Sequence, residues 1–167
     1  MLDELFPVQF VEGINEEAEL PDEKVIVITS YSGIGLQYVP KVSYSLTKLE
    51  VVLTFSDIPQ GAKIRIDLNS DYNGKPTNDI ILSTGSIIPE GVGGWQQVNL
   101  QPVSLIKGRK YWVTIHPNGC PVALIKTEKG KSVTLSVKAE DRWATPTEDI
   151  RGKVMLRFYG RIFPTSD

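Results

Sequence analysis

The stretch KLEVVLTF at residues 48–55 decides the fold class of this 167-residue chain. Its apolar residues Leu49, Val51, Leu53 and Phe55 occupy alternate positions, with mostly polar residues between them. Alternation with a period of two is typical of a strand that buries one face and exposes the other. It favours antiparallel pairing, because the strands of a buried parallel sheet are apolar throughout.

The same alternation recurs at residues 63–68, 132–139 and 154–159, and turn-forming residues separate the runs. Short strands at this spacing predict an all-β domain, an antiparallel jelly-roll-like β-sandwich of roughly eight to ten strands. The inward positions of these runs predict the core residues Leu49, Val51, Leu53, Ile64, Ile66, Leu68, Leu135, Leu156 and Phe158.

Composition narrows the class of protein further. Hydrophobic residues make up 41% of the chain and charged residues 23%, which is the range of a globular domain and not of a disordered or fibrous one. The net charge of −2, with basic residues scattered along the strands, argues against nucleic-acid binding. No stretch approaches the ~20 apolar residues of a membrane-spanning helix.

The charge is concentrated at the beginning of the chain. Residues 1–24 carry eight acidic residues and one base, a net charge of −7, whereas residues 25–167 carry +5. We therefore predict an acidic, non-core N-terminal arm (1–24) ahead of a sandwich domain (25–167), with the arm reaching a neighbouring subunit. The alternatives are a solvated tail and an arm that folds back as an extra edge strand. The apolar anchors predicted for the arm are Leu5, Phe6, Val8 and Phe10.

Few side chains are suited to catalysis. The single histidine, His116, precedes the single cysteine, Cys120, by four residues, and an activated thiol needs a base together with a group that orients it. No such third group is evident. We therefore predict that the protein is not an enzyme and that neither residue is required for function.

One loop has part of a metal-binding pattern. Asn69, Asp71 and Asn73, followed by Gly74, match the first half of a calcium loop, but the twelfth position is Ile80 where a glutamate is expected. Turns rich in Asn and Asp are common without an ion. The sequence therefore predicts no cofactor, with Ca²⁺ at these three residues as the alternative.

Aromatic side chains are candidates for stacking on sugar rings, and we assign this role to Trp95, Trp112, Trp143 and Tyr72. Trp112 alternates out of phase with Val113 and Ile115. If those two residues face the core, Trp112 faces outward. The alternative is that both faces of this strand are buried, or that Trp112 packs under a loop.

The body of the chain also resembles a known family. The segments that carry the likeness are residues 43–56, Ile66-Asp67 running into 71–76, 94–100, 102–105, Gly108 and 111–113. In this order, over residues 40–160, they are similar to the choice-of-anchor R type domains of bacterial surface proteins and to related jelly-roll modules of phage virions. The resemblance implies a sandwich fold and leaves the ligand open.

These observations predict a non-catalytic structural or adhesion protein, with no basic residue in positions 1–20 to begin a signal peptide. Our first expectation is an oligomeric protein of an assembled particle, a phage or virus virion, as a capsid decoration or tail component. The alternative is a carbohydrate-binding module of a secreted bacterial surface protein, which places the chain outside the cell or at its surface and gives it a glycan ligand.

Overall fold

The computed structural model describes residues 6–13, 25–27, 32–127, 131–132, 134–139, 142–144 and 153–163. Within these ranges, no helix has the length and apolarity that crossing a membrane requires. Ten of the strands have five or more residues. The strands are β1 (Gln9–Gly13), β2 (Val25–Val27), β3 (Gly33–Tyr38), β4 (Tyr44–Phe55), β5 (Ile64–Tyr72), β6 (Lys75–Ile87), β7 (Gly93–Leu105), β8 (Tyr111–His116), β9 (Val122–Thr127), β10 (Lys131–Ser132), β11 (Leu135–Ala139), β12 (Arg142–Ala144), β13 (Lys153–Val154) and β14 (Leu156–Arg161).

The strands form two antiparallel sheets that pack against each other, so the predicted all-β sandwich is confirmed. In sheet A the order is β1-β14-β4-β9-β13-β10. In addition, β7 pairs with β4, and β2 pairs with β9. In sheet B the order is β12-β11-β3-β8-β5-β6. The long strand β4 is the centre of sheet A, because it pairs with β7 along one edge and with β14 and β9 along the other.

The core lies between the sheets and is built from the inward positions of the alternating runs. Eight of the nine predicted core residues are buried, and the ninth, Leu135, is partly buried against them. Tyr38 and Phe158, from opposite sheets, stack with their ring centroids 3.7 Å apart. Period-two alternation therefore identified the core correctly, because each strand places successive side chains on opposite faces.

Part of the predicted N-terminal arm belongs to the sandwich. Residues 9–13 form the edge strand β1, which pairs antiparallel with β14 and has a bulge between Phe10 and Glu12. Val11 packs against the core. The prediction that the whole arm lies outside the sandwich therefore does not hold for this stretch, where the folded-back edge strand is observed. Contact of the arm with a neighbouring subunit stays a prediction. Without β1, β14 would leave a row of backbone N–H and C=O groups unpaired at the sheet edge.

The predicted anchors of the arm have different surroundings. Phe6 packs against Phe163, with ring centroids 4.9 Å apart. Val8 and Phe10 are 42% and 41% exposed, although they belong to this edge of the sandwich. Leu5 and residues 14–24 lie outside the described residues.

A buried polar chain attaches β1 to the core. The Tyr38 hydroxyl donates to Glu12 Oε1 at 2.7 Å, so the Tyr44 hydroxyl, 2.6 Å away, donates to the Tyr38 oxygen. The Lys41 backbone N–H also donates to Glu12 Oε1. Burial raises the pKa of both tyrosines, so their hydroxyls remain protonated donors. The acidic residue of β1 thus accepts from Tyr38, which in turn accepts from Tyr44.

Replacing Glu12 with Ala is expected to lower the free energy of unfolding by about 1–3 kcal/mol, because the carboxylate that accepts from buried Tyr38 is lost. Glu12→Gln keeps an acceptor oxygen and is expected to cost less. Urea unfolding followed by circular dichroism measures both, with the exposed Glu90→Ala as the matched control. A Glu12→Ala variant as stable as the control would show that β1 is held without this contact.

Candidate functional site

The outer face of sheet B is unusual because its polar side chains are buried. On β5 and β8 the residues between the core positions point away from the core, and four of them are at most 5% exposed. Polar groups on the outer face of a sandwich normally lie in water. These four are covered instead. They are Asp67, Asn69, Thr114 and His116.

The four residues form one hydrogen-bonded network. Thr114 Oγ1 donates to Asn69 Oδ1 at 2.6 Å, and His116 Nε2 lies 3.1 Å from Thr114 Oγ1 and 3.4 Å from Asp67 Oδ2. Because the Thr114 proton is directed to Asn69, His116 Nε2 carries the proton that it shares with Thr114 and Asp67. Thr84 Oγ1 donates to Asp67 Oδ1 at 2.6 Å. Every member is therefore partnered, as buried polar groups require.

Burial by itself raises the pKa of Asp67, but its partners reverse the effect. The hydrogen bonds from His116 and Thr84, together with the positive charge of Arg65, bring the pKa below its ordinary value. Arg65 Nε donates to Asp67 Oδ2 at 3.1 Å. Asp67 is therefore a buried carboxylate that remains ionised near neutral pH.

The hairpin between β5 and β6 contacts this network at Asn69. Asn73 and Gly74 both have positive φ, 53° and 81°, as a two-residue Asn-Gly turn requires. Beyond the turn, Asn69 Nδ2 donates to the Thr77 carbonyl oxygen at 2.9 Å. Pro76 is buried over Gly35, because a Cβ on Gly35 would lie 3.0 Å from Pro76 Cγ. We name residues 71–79 the anchored hairpin.

Two tryptophans fasten the anchored hairpin to the sheet. Trp112 Nε1 donates to Asp71 Oδ1 at 2.8 Å, and Trp143 Nε1 donates to Asn78 Oδ1 at 2.9 Å. Both rings approach Gly35, at 3.2 and 3.4 Å from the position of its missing Cβ. The absence of a side chain at this position makes room for both indoles, which hold the two arms of the hairpin.

The tip of the anchored hairpin presents an aromatic ring to solvent. Tyr72 is 69% exposed, and its polar neighbours Asn73, Lys75, Asn78 and Asp79 are exposed as well. Such a tip combines a flat apolar surface with hydrogen-bonding groups on a backbone that is fixed from below.

The predicted ligand residues therefore divide into three groups. Tyr72 is exposed at the tip, whereas Trp112 and Trp143 are 0% and 7% exposed and hold the hairpin in place. Trp112 does face away from the core, but it is not exposed. Both faces of its strand are buried, as the alternative held, and its indole contacts the anchored hairpin. Trp95 lies apart, on the outer face of sheet A, where it packs against Val52 and Met155.

Of the three predicted calcium ligands, Asp71 and Asn73 belong to the anchored hairpin and Asn69 precedes it on β5. The side-chain oxygens of Asn69 and Asp71 accept from protein donors. Asn69 Oδ1 accepts from Thr114, and Asp71 accepts from Trp112 and, at 3.4 Å, from the Gly74 N–H. Asn73 forms the exposed turn. In the described ranges, no group of three or more His, Cys, Asp or Glu residues is placed to hold a metal ion.

The structure separates His116 from Cys120. The cysteine is buried in the core between the sheets, where desolvation raises the pKa of its thiol. His116 lies on the outer face of sheet B, with its ring edge-on to Trp143. Sequence reasoning missed the role of His116 in the network, although the polar residues at alternate positions of β5 and β8 were a signal for it.

Comparisons with known proteins bear on the fold. No family model and no curated protein sequence matches the chain. The crystal structure of the cysteine protease and lectin-like domains of Cwp84, a surface layer associated protein of Clostridium difficile, is similar to it, with a TM-score of 0.54 and 13% identity. The similarity covers 87% of this chain and 37% of that chain. At this identity it shows a shared fold and leaves function to the site.

Proposed function

We propose that this chain is a non-catalytic carbohydrate-binding module that acts at a cell surface or outside the cell, with the anchored hairpin as its ligand contact. The observation that carries the proposal is the 69% exposed ring of Tyr72 on a hairpin fastened by two buried indoles. A ring carried on a fastened backbone segment loses less conformational freedom on binding a sugar than a ring on a free loop, which favours affinity.

The surrounding polar groups suit the hydroxyls of a sugar. Asn73 and Asn78 carry amides, and Lys75 and Asp79 carry charges of opposite sign, all exposed on the same hairpin. An aromatic surface with a few hydrogen-bonding groups beside it is the usual composition of a carbohydrate site. The similarity to a structure that contains a lectin-like domain of a surface-associated protein supports this choice of ligand class.

The non-catalytic part of the proposal rests on where the reactive groups lie. The Asp67 carboxylate is 1% exposed and engaged by three donors, and the Cys120 thiol is 0% exposed. A substrate therefore reaches neither group in this arrangement. The virion role predicted from the sequence has no support from the comparisons, so the surface module is preferred.

A glycan array with the wild type and Tyr72→Ala tests the proposal. The wild type is expected to bind a restricted set of glycans, and Tyr72→Ala to bind them about tenfold more weakly, the equivalent of 1.4 kcal/mol. Ile88→Ala, which truncates a side chain that is 71% exposed outside the hairpin, is expected to match the wild type.

Two outcomes contradict the proposal. One is a wild type that binds no glycan, or a Tyr72→Ala variant that binds as the wild type does. The other is conversion of the bound glycan into products, detected by mass spectrometry, which would make the protein an enzyme.

A further inference from the structure

The outer face of sheet A contains a second set of aromatic and charged side chains. Antiparallel register places Phe10 of β1, Tyr159 of β14, Lys48 of β4 and Asn99 of β7 opposite one another in a single row. Neighbouring strands lie about 4.8 Å apart, so the row extends about 14 Å across four strands. A parallel row contains Arg157, Glu50 and Gln97.

Aromatic rings hold the two cations of these rows in place. Lys48 Nζ lies 4.1 Å from the centroid of the Tyr159 ring, and Arg157 Cζ lies 3.7 Å from the centroid of Trp95. Cation–π contacts of this kind restrict a long side chain. The Arg157 side chain is only 15% exposed and also faces Glu50, so Lys48 is the cation left for a ligand. This cation is therefore positioned before any ligand binds.

The charges on this face do not cancel. Glu50 is the carboxylate of the two rows, and its Oε1 lies 3.7 Å from Arg157 Nη1, a long contact. Lys48 and Arg157 together leave the rows with a net charge of +1. Burial and the neighbouring Glu50 raise the pKa of Tyr159, so its hydroxyl remains a donor at neutral pH.

Apolar and amide groups complete the face. Phe10 is 41% exposed, and its ring meets Tyr159 edge-on at 5.8 Å. Gln97 and Asn99 are exposed, and Gln97 Nε2 donates to Asn99 Oδ1 at 3.2 Å. The face thus has an exposed ring, a fixed cation and amides, arranged along a line that suits an extended chain of sugars.

We propose that the outer face of sheet A, through Phe10, Lys48 and Tyr159, is a second binding site whose ligand is an acidic, uronate-containing polysaccharide. A carboxylate of the polysaccharide faces Lys48, and its sugar rings contact Phe10. This site is separate from the anchored hairpin and does not depend on the function proposed for it.

A nucleic acid is a poorer match to this face, although bases also stack on aromatic rings. Its binding draws on many phosphate contacts at once, and its affinity rises with the number of cations engaged. The two rows supply two cations, and the chain as a whole has a net charge of −2. The exposed amides suit sugar hydroxyls, which leads us to the polysaccharide.

The test measures binding of the full chain to polygalacturonate, alginate and hyaluronan, each compared with its carboxyl-reduced form. Binding to at least one of the acidic forms is expected, with about tenfold loss on reduction and a decline in affinity as salt is added. Lys48→Met, which keeps the apolar stem, and Phe10→Ala are each expected to weaken binding about fivefold.

Controls separate this site from the hairpin and from a general attraction to polyanions. Lys63→Met removes an exposed lysine elsewhere, and Tyr72→Ala alters the hairpin; both are expected to bind the acidic polysaccharide as the wild type does. The proposal is overturned if none of the three polysaccharides binds, or if a single-stranded oligonucleotide binds equally well. It is also overturned if Lys48→Met binds as tightly as the wild type, or if Tyr72→Ala binds the acidic polysaccharide more weakly. Failure of the hairpin proposal would instead appear as unchanged glycan-array binding by Tyr72→Ala.

Discussion

Trp112→Ala is expected to lower the free energy of unfolding by about 3–5 kcal/mol, the usual cost of truncating a large buried aromatic residue. The indole is 0% exposed, packs over Gly35 and donates to Asp71. Its removal leaves a cavity beneath the anchored hairpin and releases one of the two indole contacts. Urea unfolding followed by circular dichroism measures the loss.

Trp112→Phe separates the two contributions. Phenylalanine keeps much of the buried ring but has no N–H for Asp71, so a smaller loss of stability is expected, together with faster hydrogen exchange at the hairpin amides. Glycan binding is expected to weaken as well, because the ring of Tyr72 is no longer fixed. A Trp112→Ala variant within about 1 kcal/mol of the wild type would show that the hairpin is not held from below.

Asp67→Asn is expected to lower the free energy of unfolding by about 2–3 kcal/mol at pH 7, because hydrogen bonds to a buried charge are lost. The loss is expected to depend on pH. Since folding lowers the pKa of Asp67, its contribution is fully present above the ordinary Asp value of about 3.9 and disappears as the pH falls through the folded-state value. The difference in stability between wild type and Asp67→Asn should therefore narrow as the pH falls below about 3.9.

Denaturant unfolding at a series of pH values from neutral to acid measures this difference. The matched control is Asp57→Asn, since Asp57 is exposed and asparagine tolerates its positive φ of 44°. The control is expected to track the wild type at every pH. A constant difference between wild type and Asp67→Asn would mean that the charge of Asp67 does not stabilise the fold.

The core was predictable because alternation within a single strand determines which side chains face inward. Leu49 and Ile66 are fully buried for this reason. What lies on the other face of a strand depends on segments distant in sequence. Trp112 has outward parity, yet it is fully buried and its indole N–H donates to Asp71, which is 41 residues away in the sequence.

The strand that pairs with β1 could not be predicted from the sequence, for a similar reason. Gln9 pairs with Gly160, near the opposite end of the chain, and no local pattern specifies that neighbour. The acidic character of the leader suggested an arm that reaches a neighbouring subunit. Glu12, however, faces two core tyrosines, so its charge serves the fold of its own domain.

The sequence analysis named residues of the candidate site, but it did not predict the contacts that these residues make. Asx residues near 69–73 suggested a metal, and the tryptophans suggested sugar stacking. In the structure, Trp112 donates a hydrogen bond to Asp71, and the next residue, Tyr72, has the exposed ring. A pairing across 41 residues is a property of the folded sheet, which is why the sequence pattern did not predict it.

Glycan binding by the anchored hairpin is tested most directly by a nuclear magnetic resonance titration of the full chain. The ligand is the neutral glycan that gives the strongest array signal. If the anchored hairpin is the glycan contact, the largest amide shifts are expected in this hairpin, around Tyr72, Asn73 and Asn78. Tyr72→Ala is expected to abolish these shifts. Shifts that fall elsewhere on the sandwich, or that persist in Tyr72→Ala, would contradict the claim that the hairpin is the ligand contact.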